Sequence, residues 1–400
     1  MAIPIKVSNK KEKEKETVGK SVSVANLKSI LTKVINSKFK EAVVYELGKA
    51  SPTDVKEWIS TGSTLLDYIC SNRRNGGIPI GKIIEILGQE STGKSLLCQH
   101  IAANVQKKGG LVAYIDTESA LDAKFCQRVG VDIDTMIYAQ PGTMENVLET
   151  MDEIVKRVRE SNDDIPVALI WDSVAGTPTK AEIEGTFDPK ESIAEAAKII
   201  SKAMRKLTKE IGESRIIAVF TNQLKTSIGV KFGDPMSATY GGKAIPFHSS
   251  LRIKLSKRGL VKKAEDVIGI GCEAKIIKSR VSPPFRTCNF NILFNEGIDE
   301  SDSILELFKT IKKIETKGSW YEMGDGGKRF MGRKGWDELW KDESFRKKCY
   351  DDVEEIMTIK YTASDDEKMK HIDINPESDL EMKALKAEIE EQEEKEDKKE

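Results

Sequence analysis

Short runs of consecutive apolar residues alternate with amphipathic segments between residues 55 and 300. The runs KIIEILG (82–88), LVAYID (111–116), VALIWD (167–172) and RIIAVFT (215–221) show no alternation of polar and apolar positions. Such strands are buried on both faces, which is typical of a parallel sheet covered by helices. The later segments SLRIKLSKR (250–258) and NFNILFN (289–295) alternate apolar with polar positions, as antiparallel strands with one solvated face do. The pattern predicts an α/β fold with a mostly parallel, partly mixed central sheet.

The same patterns divide the chain into five segments. Residues 1–21 are rich in Lys and Glu and predict a disordered tail, and residues 363–400 predict a charged acidic tail. Residues 22–54 contain an amphipathic helix, with apolar residues at helical spacing from Val24 to Ile35. This helix either packs on its own core or is an oligomerisation arm for a neighbouring subunit. Residues 55–300 form the expected core, and residues 301–362 a small C-terminal domain.

Composition and charge narrow the possible classes of protein. With 400 residues, 39% of them hydrophobic, the chain can bury at least one large core. The net charge of −1 excludes a uniformly basic nucleic-acid binder, yet residues 198–263 carry 15 Lys or Arg against 3 acids. The 6 cysteines and 3 histidines lack zinc-site or disulfide spacing. No window of about eighteen apolar residues occurs, so no membrane partner and a cytoplasmic location are expected.

The segment GQESTGKS (88–95) directly follows an apolar strand and precedes a helix. It matches the pattern G-x-x-x-x-G-K-S, in which a glycine-rich loop and the free N–H groups of a helix N-terminus hold phosphates. Its lysine adds a positive charge, and its serine can ligate Mg²⁺. The motif predicts a nucleotide site formed by Gly88, Gln89, Glu90, Ser91, Thr92, Gly93, Lys94 and Ser95.

Two further strand ends supply carboxylates. VALIWD ends in Asp172, where a carboxylate can orient Mg²⁺ together with Ser95. YIDTES places Glu118 just beyond its strand, on the sheet edge where ligands of parallel sheets bind. Glu118 is therefore predicted to activate the attacking water, with Asp116 as the less favoured alternative because it lies within the strand.

An ordered set of motifs between about residues 60 and 340 resembles the bacterial RecA recombinases. The motifs are STGSTLLD, GGIPIGKIIEILGQESTGKS, AYIDTESALD, WDSVAGTPTKAEIEG, SKAMRKLT, TNQLKTSIGVKFGDP, GGKAIPF and KGSWY. The resemblance implies a RecA-type P-loop NTPase core that binds ATP and Mg²⁺. It also implies a DNA-dependent ATPase that self-associates into helical filaments on single-stranded DNA, acting in recombination, repair and the SOS response to DNA damage. Such a filament exchanges strands with homologous double-stranded DNA. A ring helicase of the same fold and a non-catalytic filament regulator remain alternatives.

The resemblance also implies roles for individual residues. Glu118 matches the family's water-activating glutamate, and Gln223 matches its γ-phosphate sensor. Asp122 and Phe125 match the adenine-binding pair, with Phe125 standing where the family usually has Tyr. Lys278 and Arg280 match two basic side chains that reach the nucleotide of the neighbouring subunit.

The DNA side of the resemblance involves two segments and the small domain. Residues 184–198 match the first DNA-binding loop, which leads into a helix with a basic face. The stretch NQLKTSIGVKFGDPMSATYGGK (222–243) matches the second, and loops of this length without a function are uncommon. Lysines suit phosphates, and apolar side chains suit base faces. The implied DNA-binding residues are Lys198, Arg205, Lys225, Ile228, Lys231, Phe232, Gly241, Gly242 and Lys243. In the small domain, Lys328, Arg329, Arg333 and Lys334 are candidate contacts to duplex DNA; single-strand-binding and loader proteins are further expected partners.

Overall fold

The computed structural model describes residues 24–39, 43–45, 54–161, 164–185, 193–225, 238–324 and 327–360. The two tails predicted at 1–21 and 363–400 lie outside these residues. The chain divides into two compact units, Met1–Asp54 and Val55–Glu400. None of the helices in the described part of the chain is both long and apolar enough to cross a bilayer.

Helix α1 (Val24–Phe39) is the main element of the first unit. The side chain of Asn36 accepts hydrogen bonds from the backbone N–H groups of Val43 and Val44, which fixes the chain after the helix. The apolar side chains at helical spacing are largely exposed, from 49% for Leu27 and Leu31 to 85% for Val24. The predicted amphipathic helix is present.

The second unit begins with a two-stranded antiparallel pair, β1 (Trp58–Ile59) and β2 (Ile78–Pro79), and is built on a large sheet. Six of the sheet strands are mutually parallel: β3 (Ile83–Gly88), β4 (Leu111–Asp116), β5 (Ile137–Ala139), β6 (Val167–Asp172), β7 (Ile216–Lys225) and β9 (Leu251–Lys263). They lie in the order β9-β3-β7-β6-β4-β5. The two-residue strand β8 (Ala238–Thr239) pairs antiparallel with the end of β7.

Beyond β9 the sheet continues antiparallel. Strands β10 (Asp266–Ser279), β11 (Thr287–Leu293) and β12 (Gly297–Asp299) follow in that order, so the predicted mixed sheet is confirmed. The β9 strand extends five residues past the predicted end at 258, because it forms a long hairpin with β10. The lengths of β9 and β10 are fixed by the pairing between them. The sequence pattern of one strand alone carries no information about this pairing.

Helices cover both faces of the sheet. They are α2 (Thr64–Ser71), α3 (Lys94–Lys107), α4 (Ala123–Val129), α5 (Met144–Ser161), α6 (Lys180–Glu184), α7 (Ile193–Gly212) and α8 (Ala244–His248). One buried cluster joins α2 and α3 to Ile84 and Ile86 of β3, and a second joins α5 and α7 to Ile83 of the same strand. Successive residues of β3 therefore point into different cores, which is why its sequence is continuously apolar.

The C-terminal part adds helices and a small sheet. Helix α9 (Glu300–Thr310) begins where Asp299 accepts a hydrogen bond from Asp302 N. A three-stranded antiparallel sheet, β13 (Ile314–Lys317), β14 (Trp320–Met323) and β15 (Arg329–Phe330), precedes α10 (Gly332–Trp340) and α11 (Glu343–Met357). The expected small α+β part is present, and its apolar residues share one buried cluster with α2 and α3. The boundary at 300/301 stays a prediction.

Candidate functional site

A cleft of about 420 Å³ opens at the carboxyl ends of β3, β4, β6 and β7. This is the edge at which open α/β sheets bind their ligands. The lining residues come from four separate motifs of the sequence and meet only because their strands are neighbours. They are Glu90, Ser91, Thr92, Gly93, Lys94, Ser95, Leu96, Glu118, Asp172 and Gln223.

The loop between β3 and α3 has the backbone geometry of a phosphate cradle. Gly93 has φ +93°, in the left-handed region that favours glycine, and a Cβ there would lie 2.3 Å from Ile292 Cδ1. A Cβ on Gly88 would lie 2.6 Å from Leu255 O. No side chain caps the N-terminus of α3, so its first N–H groups have no side-chain acceptor. An anion with several oxygens satisfies such groups and the helix dipole together.

Lys94 reaches back over this loop. Its Nζ donates to the backbone oxygens of Gly88, at 3.2 Å, and of Gln89, at 2.8 Å. Burial lowers the pKa of Lys94, while the carboxylates of Asp172 and Glu118 oppose that shift. The ammonium group of Lys94 is partly desolvated and already lies over the loop. It can therefore bind a phosphate oxygen from its present position.

Asp172 is fixed by hydroxyl groups from the strands on each side of it. Tyr114 of β4 donates to its Oδ2 at 2.7 Å, and Thr221 of β7 donates to its Oδ1 at 2.5 Å. The carboxylate and the hydroxyl of Ser95 line the same cleft. Hard oxygen donors of this kind fit Mg²⁺, which usually takes one or two protein ligands and completes its shell with phosphates and waters.

Glu118 and Asp116 have different surroundings. Asp116 accepts hydrogen bonds from the backbone of Glu118 and Leu121, at 3.1 Å each, and from Tyr138 at 2.9 Å, so it holds the loop that carries Glu118. Glu118 lines the cleft, and its carboxylate accepts a hydrogen bond from Ser173. Of the two acids, Glu118 is the one that faces the cleft.

Gln223 lies near the end of β7, beside Gly88 of β3 in the sheet register. Its backbone N–H donates to Asn222 Oδ1 at 3.0 Å, and its side chain lines the cleft. The strand ends two residues later, at Lys225. Ile228, Lys231 and Phe232 lie outside the described residues, and so does the side chain of Lys225.

The remaining predicted nucleotide residues lie elsewhere in the fold. Asp122 caps α4 by accepting from the N–H groups of Lys124 and Phe125, and Phe125 packs against the buried cluster around α3. Lys278 Nζ donates to the backbone oxygens of Pro246 and Phe247, and Arg280 also donates to Phe247. None of these four predicted residues lines the cleft of its own chain.

A second cleft, of about 510 Å³, lies between α7 and α8. Arg205 and Lys243 both line it, and Lys198 is exposed one to two turns earlier on α7. Gly241 and Gly242 pack against α7: a Cβ on Gly241 would lie 2.4 Å from Ile200 Cδ1, and one on Gly242 would lie 3.2 Å from Ala197 Cβ. These glycines thus have a packing role besides any contact to DNA.

Lys206, on the basic face of α7, and Arg333, a candidate DNA contact of the small domain, both form ion pairs with carboxylates. Lys206 pairs with Asp152 at 2.5 Å, across the contact between α5 and α7. Arg333 pairs with Asp299, Asp302 and Asp337. The carboxylates lie either far away in sequence or one helical turn away. The contact of Arg333 to DNA stays a prediction.

Comparison with known proteins finds similar sequences over most of the chain. Residues 25–299 match the family model described as the RecA N-terminal domain. The chain is 38% identical over 291 residues to "Protein RecA" of Cereibacter sphaeroides (strain ATCC 17023), covering 73% of this chain and 82% of that protein. It is 41% identical over 287 residues to "Protein RecA" of Rickettsia africae (strain ESF-5), covering 72% and 80%. The protein of that name from Rickettsia prowazekii (strain Madrid E) is also 41% identical, over 72% and 81%.

Proposed function

The chain belongs to the bacterial RecA family, and we propose that it is a DNA-dependent ATPase that pairs homologous DNA molecules and exchanges their strands. Membership of this family supports a recombinase role and does not favour a ring helicase or a non-catalytic filament regulator. The observation that carries the proposal is the convergence of the phosphate loop, Asp172, Glu118 and Gln223 in one cleft. These four neighbouring groups suit four tasks of ATP hydrolysis: binding of the phosphates, binding of Mg²⁺, activation of the attacking water and contact with the terminal phosphate.

The cleft residues have complementary roles in this proposal. The amides at the N-terminus of α3 and the ammonium of Lys94 bind the phosphates. Ser95 and Asp172 would hold Mg²⁺, which when bound would supply positive charge beside the phosphate oxygens. Glu118, oriented by Ser173, accepts the proton of the attacking water. Gln223 contacts the terminal phosphate, and Asp122 and Phe125 hold the adenine.

Filament formation would bring two further cations to the cleft. Lys278 and Arg280 lie away from the cleft of their own chain, and they would contact the nucleotide of the neighbouring subunit, as an arginine finger acts in trans. The largely exposed apolar side of α1 supplies a surface for self-association. We place the assembly in the cytoplasm, on single-stranded DNA bound by Arg205, Lys198, Lys243 and the segment that follows β7.

A strand-exchange assay tests the proposal. The protein, ATP, Mg²⁺ and a circular single strand are mixed with linear duplex, either homologous or heterologous. The expected result is joint molecules and exchanged products with the homologous duplex alone. Lys94→Ala is the matched negative variant, because it removes the charge that binds the phosphates but leaves the loop backbone intact.

Two results would contradict the proposal. Processive unwinding of a forked duplex by closed rings would make the protein a helicase. Filaments that hydrolyse no ATP and exchange no strands would make it a regulator. Electron micrographs of the same samples separate open helical filaments from rings.

A further inference from the structure

A row of polar side chains crosses four adjacent strands inside the sheet. Lys278 of β10 is the register partner of Arg252 of β9, and Arg252 is the register partner of Glu85 of β3. Asn222 of β7 lies next, two residues beyond the register partner of Glu85. Glu85 and Asn222 are fully buried, in a part of the sheet where their neighbours are apolar.

Direct hydrogen bonds join the middle of this row. Arg252 Nε donates to Glu85 Oε2 at 2.5 Å, and Asn222 Nδ2 donates to Glu85 Oε1 at 3.1 Å. Apolar residues of similar size generally stabilise a core at least as well as a buried ion pair does. Stability alone therefore gives no reason for a fully buried carboxylate at the centre of this sheet.

One end of the row reaches the nucleotide cleft of its own chain. Asn222 Oδ1 accepts the hydrogen bond of Gln223 N, and the side chain of Gln223 lines the cleft. Asn222 Nδ2 also donates to Tyr240 O at 3.0 Å, so one amide holds positions on both sides of residues 226–237. Asn222 thus connects the carboxylate of Glu85 to the backbone of Gln223.

The other end reaches Lys278, which with Arg280 binds the carbonyl oxygens at the end of α8. The charges of the row act on this ammonium. Burial, followed by the positive charges of Arg280 and Arg252, lowers the pKa of Lys278 to about 8, whereas the carboxylate of Glu85 raises it. On α8, His248 also faces this group, and its own pKa is lowered by burial, Arg280, Arg205 and Lys278.

We propose that Glu85, Arg252 and Asn222 link the two nucleotide sites that each subunit touches in a filament. The inference rests on the proposed function, in which Gln223 serves the subunit's own ATP and Lys278 serves its neighbour's. The three residues are positioning residues: they fix Gln223 and Lys278 relative to each other across four strands. Hydrolysis at one site thereby depends on occupancy of the next.

The arrangement leaves one group unsatisfied. Arg252 Nη2 is buried and has no hydrogen-bond partner within the described residues. A buried donor without an acceptor costs about 1–3 kcal/mol, which favours any arrangement of the row that gives Arg252 Nη2 an acceptor. A link between two sites requires an element with two arrangements of similar free energy.

The test is Glu85→Gln in the full chain, with ATP hydrolysis measured on poly(dT) over a range of ATP concentrations. This change keeps the size and one acceptor but removes the charge that holds Arg252. The wild type is expected to respond cooperatively to ATP, and the Hill coefficient of Glu85→Gln to fall to about 1. Binding of a fluorescent ATP analogue without DNA should stay near the wild-type value, whereas the melting temperature should fall, because the charge of Arg252 is left buried without its partner.

The pH profile separates this link from a merely structural role. Glu85→Gln removes a negative charge that favours protonated Lys278, so the alkaline limb of kcat moves to lower pH, by about half a unit. Arg252→Gln removes a positive charge, so the limb moves to higher pH. If Arg252→Gln fails to fold, the double variant Glu85→Gln/Arg252→Gln replaces it, because this variant leaves no buried unpaired charge. Its Hill coefficient for ATP hydrolysis should also fall to about 1.

Asp67→Asn is the matched control, because Asp67 is a buried carboxylate bound by Ser60 and Thr61, outside the row. It should keep the wild-type Hill coefficient. A cooperative wild type with an equally cooperative Glu85→Gln would overturn the link, and so would a non-cooperative wild type that hydrolyses ATP. A wild type without DNA-dependent hydrolysis would instead overturn the proposed function.

Discussion

At the scale of single residues, the site depends on which of two nearby acids is left to face the cleft. Asp116 and Glu118 lie two residues apart, but Asp116 accepts three hydrogen bonds from the surrounding loop and strand. Glu118 accepts a hydrogen bond from Ser173 and lines the cleft. A general base needs a free lone pair within reach of the water, and Glu118 meets that condition better.

Glu118→Gln should therefore separate binding from turnover. The amide keeps the size of the side chain and cannot accept a proton, so kcat on single-stranded DNA should fall by about 10²–10⁴-fold. Binding of ATP and ATP-dependent filament assembly should persist. Steady-state hydrolysis and electron microscopy measure the two. Wild-type turnover by Glu118→Gln would mean that another group activates the water.

The sequence predicts cleft residues at strand ends but not the groups that orient them. Asp172 ends an apolar run and Glu118 follows one, and parallel strands bring such positions to one edge, whereas Gln223 was assigned from the family resemblance. Tyr114 and Thr221, which bind Asp172, lie within their strands, and only the lateral order β4-β6-β7 makes them its neighbours. That order is a property of the folded sheet and has no local signal in the chain.

At the scale of elements, the turn between β8 and α8 depends on close packing against α7. Gly241 has φ +81°, and a Cβ there would lie 2.4 Å from Ile200 Cδ1. Gly241→Ala should lower the free energy of unfolding by about 1–2 kcal/mol from the left-handed backbone alone. The steric contact adds to this loss. Urea denaturation of the DNA-free protein measures it.

The control and the partner variant make this prediction specific. Gly212→Ala, at the end of α7, adds a Cβ with no atom within 4 Å and should change stability little. Adding Ile200→Val to Gly241→Ala removes the contacted Cδ1, so the double variant should lose less stability than the sum of the single losses. Unchanged stability with weakened DNA binding would make Gly241 a contact residue alone.

The sequence predicts the length of a strand well where the apolar pattern of that strand alone determines it. The runs at 111–116 and 167–172 coincide with β4 and β6, because continuous burial makes every position apolar. Strand β10 was not predicted separately, since its 14 residues include glycines and exposed positions whose partner strand β9 sustains the pairing. The strands of such a long hairpin depend on cross-strand contacts more than on local propensity.

At the scale of the whole molecule, the proposed filament needs a contact between subunits, and α1 is an element with an exposed apolar side. Leu31 is 49% exposed. Fully burying a leucine side chain stabilises a contact by about 1.5–3 kcal/mol, so burying the exposed half of Leu31 contributes about 0.8–1.5 kcal/mol. Loss of that burial at every junction of a filament would weaken each step of assembly by about 4–13-fold.

Leu31→Ser should therefore raise the protein concentration that filaments need by about 4–13-fold or more, while leaving the folded chain intact. Lys33→Ser is the matched control, because position 33 lies on the opposite side of the same helix and loses a long side chain without losing apolar surface. Light scattering and electron microscopy with ATP and single-stranded DNA measure assembly, and thermal unfolding measures stability. If Leu31→Ser instead lowers the melting temperature and leaves filaments unaffected, the helix packs on its own chain. The subunit contact must then lie elsewhere, and α1 serves the fold of one molecule and not the assembly of many.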